Sequence, residues 1–117
     1  MNIEWVKCKG DIWCELSKLD LNHDLLDVNG VYILFTEETN NGLVYVGYGN
    51  VKKELNRLVK DTAIAAFLSH RCYVTWAKVN ILSQVGIANY LISRYRPKLN
   101  PKPPKGIPIS VKLPWEL

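Results

Sequence analysis

The chain has 117 residues, of which 48% are hydrophobic, and this length suffices for one hydrophobic core but not for two, so we expect a single domain over residues 1–117. No stretch approaches the roughly 18 consecutive apolar residues that a transmembrane helix needs, and the opening MNIEWVKCKGD lacks the apolar core of a signal peptide, which predicts a cytoplasmic protein without membrane contact. The formal net charge of +4 is common among proteins that bind no nucleic acid, so the distribution of charge has to decide the partner.

The first half of the chain predicts a hairpin followed by a helix. The opening IEWVKCKGDIWCEL is expected to add an edge strand or a cap, with Trp5 and Trp13 packing inward. Residues 31–35 and 43–46 are typical of strands, and the turn signal at 40–42, Asn-Asn-Gly, predicts an antiparallel hairpin between them. Asn50 is suited to cap a helix that reaches about residue 60. The buried stripe of that helix is predicted to contain Val51, Leu55, Leu58 and Val59.

The second half predicts two more helices around a third strand. Residues 62–69 are alanine-rich and favour a short helix, and CYVTWAKV at 72–79 alternates as a strand does. The longest helix is predicted over residues 82–95 and should end before Arg96-Pro97. All six prolines lie between positions 97 and 114, which predicts an extended tail over residues 102–117. The predicted fold class is α+β: a small antiparallel three-stranded central sheet flanked by helices, with an N-terminal cap and a proline-rich C-terminal tail.

The three cysteines, Cys8, Cys14 and Cys72, include no C-x-x-C pair, and the two histidines are far apart in sequence. This pattern predicts buried reduced thiols in preference to a zinc site. A disulfide framework is also not expected, because a chain this long and this apolar does not need covalent cross-links.

The charges are divided unevenly along the chain. Residues 1–50 carry eight acids and three bases, a net charge of −5, whereas residues 51–117 carry three acids and twelve bases, a net charge of +9. Residues 62–115 contain no Asp or Glu. A long segment of one sign indicates an anionic partner, most often nucleic acid. An acidic half beside a basic half also suits a charged protein partner.

Four motifs, spread over about residues 30–101, resemble the GIY-YIG nuclease superfamily: GVY at 30–32, YVG at 45–47, NVKKEL at 50–55 and LISRYRPKLNP at 91–101. The flanks WCEL and IPISVKLPW are similar to small stand-alone members. The resemblance implies metal-dependent phosphodiester cleavage, in which Tyr32 helps to activate a water or accepts its proton and Tyr45 lies close by. It further implies an arginine on the first helix that neutralises the phosphate, and a glutamate on the later helix that holds one divalent metal ion.

The chain departs from this pattern at both charged positions. Glu54 stands where the family has its arginine, and Ala88 stands where it has its metal-binding glutamate, so no metal site is expected. The residues that keep the family pattern are Gly30, Tyr32, Tyr45, Gly47 and Asn100. On a helix of about 100° per residue, Glu54 should face a cleft beside the sheet, whereas Arg57 should lie nearly opposite the buried stripe and replace the lost arginine poorly. A surface ion pair between Glu54 and Arg57 is the simpler interpretation of their spacing.

Three functions remain open at this point. The first is a degenerate nuclease-like domain, without a cofactor, that binds DNA or RNA through a basic face, with Tyr48 or Tyr73 stacking on a base. The second is an active endonuclease with relocated groups, which would need Mg²⁺ or Mn²⁺, and the third is a protein-interaction module such as a viral or phage inhibitor. Candidate catalytic residues are Tyr32, Tyr45, Gly47, Glu54, Arg57 and Asn100. Candidate phosphate contacts are Lys52, Lys53, Arg71, Arg94, Arg96 and Lys98.

Overall fold

The computed structural model describes residues 1–37, 42–68, 71–100 and 102–116, with the backbone alone at residues 67 and 68. This part of the chain contains four strands and three α-helices. In chain order they are β1 (Cys14–Glu15), β2 (Asn29–Thr36), β3 (Leu43–Asn50), α1 (Val51–Leu58), α2 (Thr62–Leu68), β4 (Cys72–Lys78) and α3 (Ile81–Tyr95). Two short 3₁₀ turns, Leu16–Lys18 and Asp24–Leu26, lie between β1 and β2.

All the strand pairings are antiparallel, in the order β1-β4-β2-β3, so the α+β class is confirmed. The prediction of a three-stranded sheet is wrong, because β1 adds a fourth strand, with Cys14 opposite Val74. A strand of two residues is too short to show the two-residue period on which sequence recognition depends. The β2–β3 hairpin forms as predicted, with Tyr32 opposite Gly47. Asn40 and Asn41 of its predicted turn lie outside the described residues.

The sheet has a hydrophobic cluster on each face. Because side chains alternate along a strand, Tyr32 and Leu34 pack toward α1, whereas Val31 and Ile33 pack toward α3. Helix α1 begins at a capped end, where the Asn50 side chain accepts a hydrogen bond from the Lys53 N–H at 3.0 Å. The position of a side chain on β2 or β3 therefore decides which helix it meets.

The segment after α3 covers the outer edge of β3. Arg96 ends the helix in a left-handed conformation with φ of 45°, just before Pro97. The N–H groups of Lys98 and Leu99 then donate to the Leu43 and Val44 carbonyls at 3.2 and 2.9 Å. An open strand edge exposes unpaired backbone groups, and residues 98–100 occupy this one over the first half of β3.

The last residues of the described chain pack against α3. The Ile109 N–H donates to the Gly86 carbonyl at 2.9 Å, and Val111 and Leu113 are buried in the α3-side cluster. A Cβ at Gly86 would stand 2.6 Å from the Ile107 carbonyl oxygen, so the close approach of the two segments requires glycine there. None of the described helices is long and apolar enough to cross a membrane.

The cysteines differ from the prediction. Cys8 and Cys14 form a disulfide, with their Cα atoms 5.2 Å apart, while Cys72 is free and buried. A tight turn, closed by a β-bridge between Cys8 and Ile12, brings the two thiols together. Chain length and composition indicate only whether cross-links are needed. They do not show that a local turn places these two side chains within bonding distance.

Candidate functional site

Tyr32 is the centre of a cluster of polar side chains between β2, β3 and α1. Its ring is fully buried, and its hydroxyl donates a hydrogen bond to Glu54 Oε1 at 2.9 Å. The ring crosses over Gly47 on the neighbouring strand, where an added Cβ would overlap the hydroxyl and the ring carbons. It also stacks on Tyr45, with ring centroids 6.2 Å apart. Gly47 therefore makes the space in which the Tyr32 hydroxyl reaches Glu54.

Arg57 closes the other side of the Glu54 carboxylate. Its Nη2 lies 3.2 Å from Oε1 and its Nε lies 3.4 Å from Oε2, so both carboxylate oxygens are engaged. The Arg57 side chain is 57% exposed, in agreement with its expected outward position, but its length lets it fold back by three residues onto Glu54. The ion pair expected between Glu54 and Arg57 is therefore present, and it places the guanidinium beside the cluster.

The protonation of the cluster follows from this arrangement. Burial, followed by the charge of Glu54, raises the pKa of the Tyr32 hydroxyl far above its ordinary value of 10.0. The hydrogen bond to Glu54 is the main cause of a raised Arg57 pKa. At neutral pH, Tyr32 thus keeps its proton and acts as a donor, while the positive charge of Arg57 is compensated by the Glu54 carboxylate.

A cleft of about 480 Å³ opens beside this cluster, across the outer edge of β3. Glu54 is the only carboxylate among its described lining residues. The lining also contains Lys102 and Ile92, two residues that the sequence did not single out as site residues. The sequence indicates these two residues only through their distance from motif positions. Lys102 follows Asn100 by two residues, and Ile92 follows Ala88 by one helical turn. The lining consists of Tyr45, Val46, Gly47, Tyr48, Glu54, Ile92, Asn100, Lys102 and Pro104.

Asn100 fastens the tail to the sheet at the margin of this cleft. Its Oδ1 accepts a hydrogen bond from the Val46 N–H at 2.8 Å, and its Nδ2 donates to the Val46 carbonyl at 2.9 Å. The side-chain amide thus takes the place of a neighbouring strand residue. The oxygen and the nitrogen of the side-chain amide both bind the backbone. Asn100, which keeps the family pattern, therefore has a structural role in this fold.

Ala88 is not among the described residues that line this cleft. It is fully buried in the α3-side cluster with Val31 and Ile33, on the face of the sheet opposite to Tyr32 and Glu54. A carboxylate at this position would start from a fully buried site in an apolar cluster, where an unpaired charge is costly. Within the described residues, no group of three or more His, Cys, Asp or Glu side chains is arranged to hold a metal ion.

Four exposed basic residues lie beside the outer edge of β3 or adjoin it in sequence. Lys53, Arg96 and Lys98 were expected phosphate contacts, whereas Lys102 was not. Lys98 is exposed beside the start of the strand, Lys102 lines the cleft at its middle, and Lys53 is exposed on the first turn of α1, directly after its end. Arg96 is exposed two residues before Lys98. We refer to these four residues as the basic edge. Lys52 is half-buried beside Lys53.

The remaining candidates lie elsewhere. Arg71 precedes β4 at the opposite side of the sheet, where its Nε is 3.9 Å from Glu15 Oε1. Tyr73 is on the same side, and its hydroxyl donates to Glu37 at 3.0 Å. Arg94 lies over the Tyr95 ring at 5.7 Å on the last turn of α3. The structure therefore does not bring Arg71 or Tyr73 to the basic edge.

Comparison with known proteins identifies no relative of this chain. No protein-family model, curated protein or solved structure matches the chain. The likeness to the GIY-YIG pattern consequently stays a hypothesis, and the function of the site has to be argued from its own geometry.

Proposed function

We propose that this protein is a nucleic-acid-binding domain of GIY-YIG nuclease type that has lost phosphodiester cleavage and kept a phosphate-binding surface. The observation that carries the proposal is the closed chain of contacts from Tyr32 through Glu54 to Arg57, which lies beside the basic edge. The contacts among Tyr32, Glu54 and Arg57 support the loss of cleavage, and the basic edge supports binding.

Cleavage of a phosphodiester builds negative charge on the phosphate oxygens, and a fixed cation or a metal ion has to meet it. In this cluster the position of the implied arginine holds Glu54, whose charge repels a phosphate. Arg57 is the cation that contacts this carboxylate, and it is held by both of its oxygens. Tyr32 keeps its proton, so it is a poor acceptor for the proton of a water. Removal of one such preorganised group typically costs about 10²–10³ in rate, and here two are absent.

Binding needs less than cleavage, because it requires only that cations lie where phosphates pass. The four residues of the basic edge are exposed or open to the cleft, and they follow one strand. Glu54 weakens this surface little, since Arg57 compensates its charge. The basic edge therefore offers phosphate contacts of the kind that position nucleic acids without reading their sequence.

Binding is tested by fluorescence anisotropy with labelled DNA and RNA between about 50 and 200 mM salt. Four phosphate contacts predict a slope of log affinity against log salt of about −3 for single strands and about −4 for duplex. The variant Lys98→Glu/Lys102→Glu should lose at least about tenfold in affinity, because two contacts become repulsive. Lys9→Glu is a control for a single charge reversal away from the basic edge, since Lys9 is exposed in the disulfide-closed turn beside β1. Absence of binding, or affinity that does not change with salt, would overturn the proposal.

Loss of cleavage is tested separately with supercoiled plasmid in the presence of Mg²⁺ or Mn²⁺. No nicking is expected above that of a mock purification. Metal-dependent nicking that disappears in Tyr32→Phe would instead establish an active endonuclease with relocated groups, and it would refute this half of the proposal.

A further inference from the structure

We infer that the ligand of the basic edge is single-stranded DNA or RNA, which runs along the outer edge of β3 and places one base in the cleft against Tyr48. This inference rests on the proposed function and names the class of nucleic acid that the site takes.

The cleft begins where the cover of the strand edge ends. Residues 98–100 pair along β3 as far as Val46, whose N–H and carbonyl point outward to Asn100. Because peptide groups point to the same side at every second residue of an antiparallel strand, those of Tyr48 face outward as well. The Tyr48 peptide therefore offers one donor and one acceptor at the cleft, beside a side chain that is 38% exposed.

The chemistry of the lining fits a nucleobase. Tyr48 contributes a partly exposed aromatic ring, and Ile92 and Pro104 add apolar surface, so a flat base finds a place to stack. Lys102 lies at the same cleft and is placed to meet the phosphate attached to that base. Aromatic stacking beside cations is the usual means by which proteins hold single strands with little sequence preference.

The arrangement suits one strand better than a duplex. The cations of the basic edge follow a single line along β3, whose eight residues span roughly 26 Å, and such a line contacts one backbone. In a duplex, the faces of the bases are hidden in the stack, so a base must be extruded at a cost before it can reach Tyr48. Helices α1 and α3 are packed against the two faces of the sheet, so neither projects as a helix entering the major groove does.

The test compares full-length protein with labelled oligothymidylate, oligouridylate and a DNA hairpin of the same number of phosphates. Single strands should bind at least about tenfold more tightly than the hairpin. Loss of the stacked ring in Tyr48→Ala should weaken single-strand binding by about tenfold. Tyr48→Leu, which keeps apolar bulk without an aromatic face, should weaken binding similarly, and Tyr48→Phe should bind as the unmodified protein does. The ratio between the thymidylate and uridylate affinities assigns the ligand to DNA or RNA.

Two results would overturn the inference: a hairpin complex as tight as the single-strand complexes, or a Tyr48→Ala variant with unchanged single-strand affinity. Either result leaves the proposed function standing if Lys98→Glu/Lys102→Glu still reduces binding. Absence of binding to all three probes refutes the proposed function itself, so the two failures are distinguishable. Thermal denaturation of each Tyr48 variant verifies that it is folded.

Discussion

Replacement of Tyr32 by phenylalanine removes one hydroxyl from a fully buried ring and leaves its packing over Gly47 in place. The lost hydrogen bond to Glu54 involves a charged acceptor, and such bonds contribute about 1.5–3 kcal/mol. The Glu54 side chain is 25% exposed and keeps Arg57, so water compensates part of the loss. We therefore expect Tyr32→Phe to lower the free energy of unfolding by about 1.5 kcal/mol, near the lower end of that range.

The opposite replacement, Glu54→Ala, leaves the buried Tyr32 hydroxyl without its acceptor, and an unsatisfied buried donor costs about 1–3 kcal/mol. In the double variant the phenylalanine ring needs no acceptor. The double variant should therefore be more stable than the sum of the two single losses predicts, by a coupling free energy of about 1.5 kcal/mol.

Urea denaturation of the four proteins at pH 7 measures this coupling, and thermal denaturation provides a second measure at roughly 4 °C per kcal/mol. Tyr48→Phe is the control on the neighbouring strand, because its side chain is exposed and its loss of a hydroxyl should change stability by less than about 0.5 kcal/mol. If the stability losses of the two single variants add to that of the double variant within about 0.5 kcal/mol, Tyr32 and Glu54 do not interact in solution and the closed cluster does not form.

Three further predictions concern packing, the strand edge and pH. Gly47→Ala should lower the free energy of unfolding by about 1–3 kcal/mol, because the new methyl group overlaps Tyr32, and unchanged thermal denaturation would contradict that packing. Asn100→Ala should cost about 1–2 kcal/mol through its two lost hydrogen bonds, and amide exchange at Val46 should become faster; unchanged exchange would mean that Asn100 does not hold the strand. Burial raises the pKa of the Cys72 thiol from 9.0 to about 11, so its stabilisation is complete below pH 9.0 and is lost as the pH rises to about 11. In urea titrations over this window, stability should fall by up to about 1.4 kcal/mol per pH unit, and Cys72→Ala should reduce that slope.

The elements that local physics specifies were predictable from the sequence. Asn50 caps α1 because its side chain is short enough to reach the first free N–H groups, and this signal is present in the letters alone. The long apolar pattern of α3 and its stop before Pro97 are equally local. The opening segment does add an edge strand, β1, but its bounds were not predictable because two residues carry no period. The disulfide was missed because it depends on a turn that composition does not reveal.

The candidate site required tertiary information. Motif alignment along α3 gives the phase of Ala88 on the helix but not the face of the sheet on which the helix packs, so only the structure shows that Ile92 reaches the cleft. The run of basic residues in the sequence likewise does not show where its cations lie in the fold. Arg71 and Lys98 belong to one basic stretch of sequence, yet the strand order places them on opposite sides of the sheet.

Under the proposed function, loss of cleavage and retention of binding have one electrostatic basis. A carboxylate at position 54 alone would put an uncompensated negative charge in the cleft, where it would repel the phosphates that the basic edge attracts. Arg57 removes this repulsion by pairing with Glu54, and the same pairing occupies a guanidinium that could otherwise assist scission. Tyr32 then donates to Glu54, which fixes the carboxylate from the buried side and keeps the phenol protonated. The contacts that make the cleft tolerant of a nucleic acid therefore also occupy the Arg57 guanidinium and keep Tyr32 from accepting a proton.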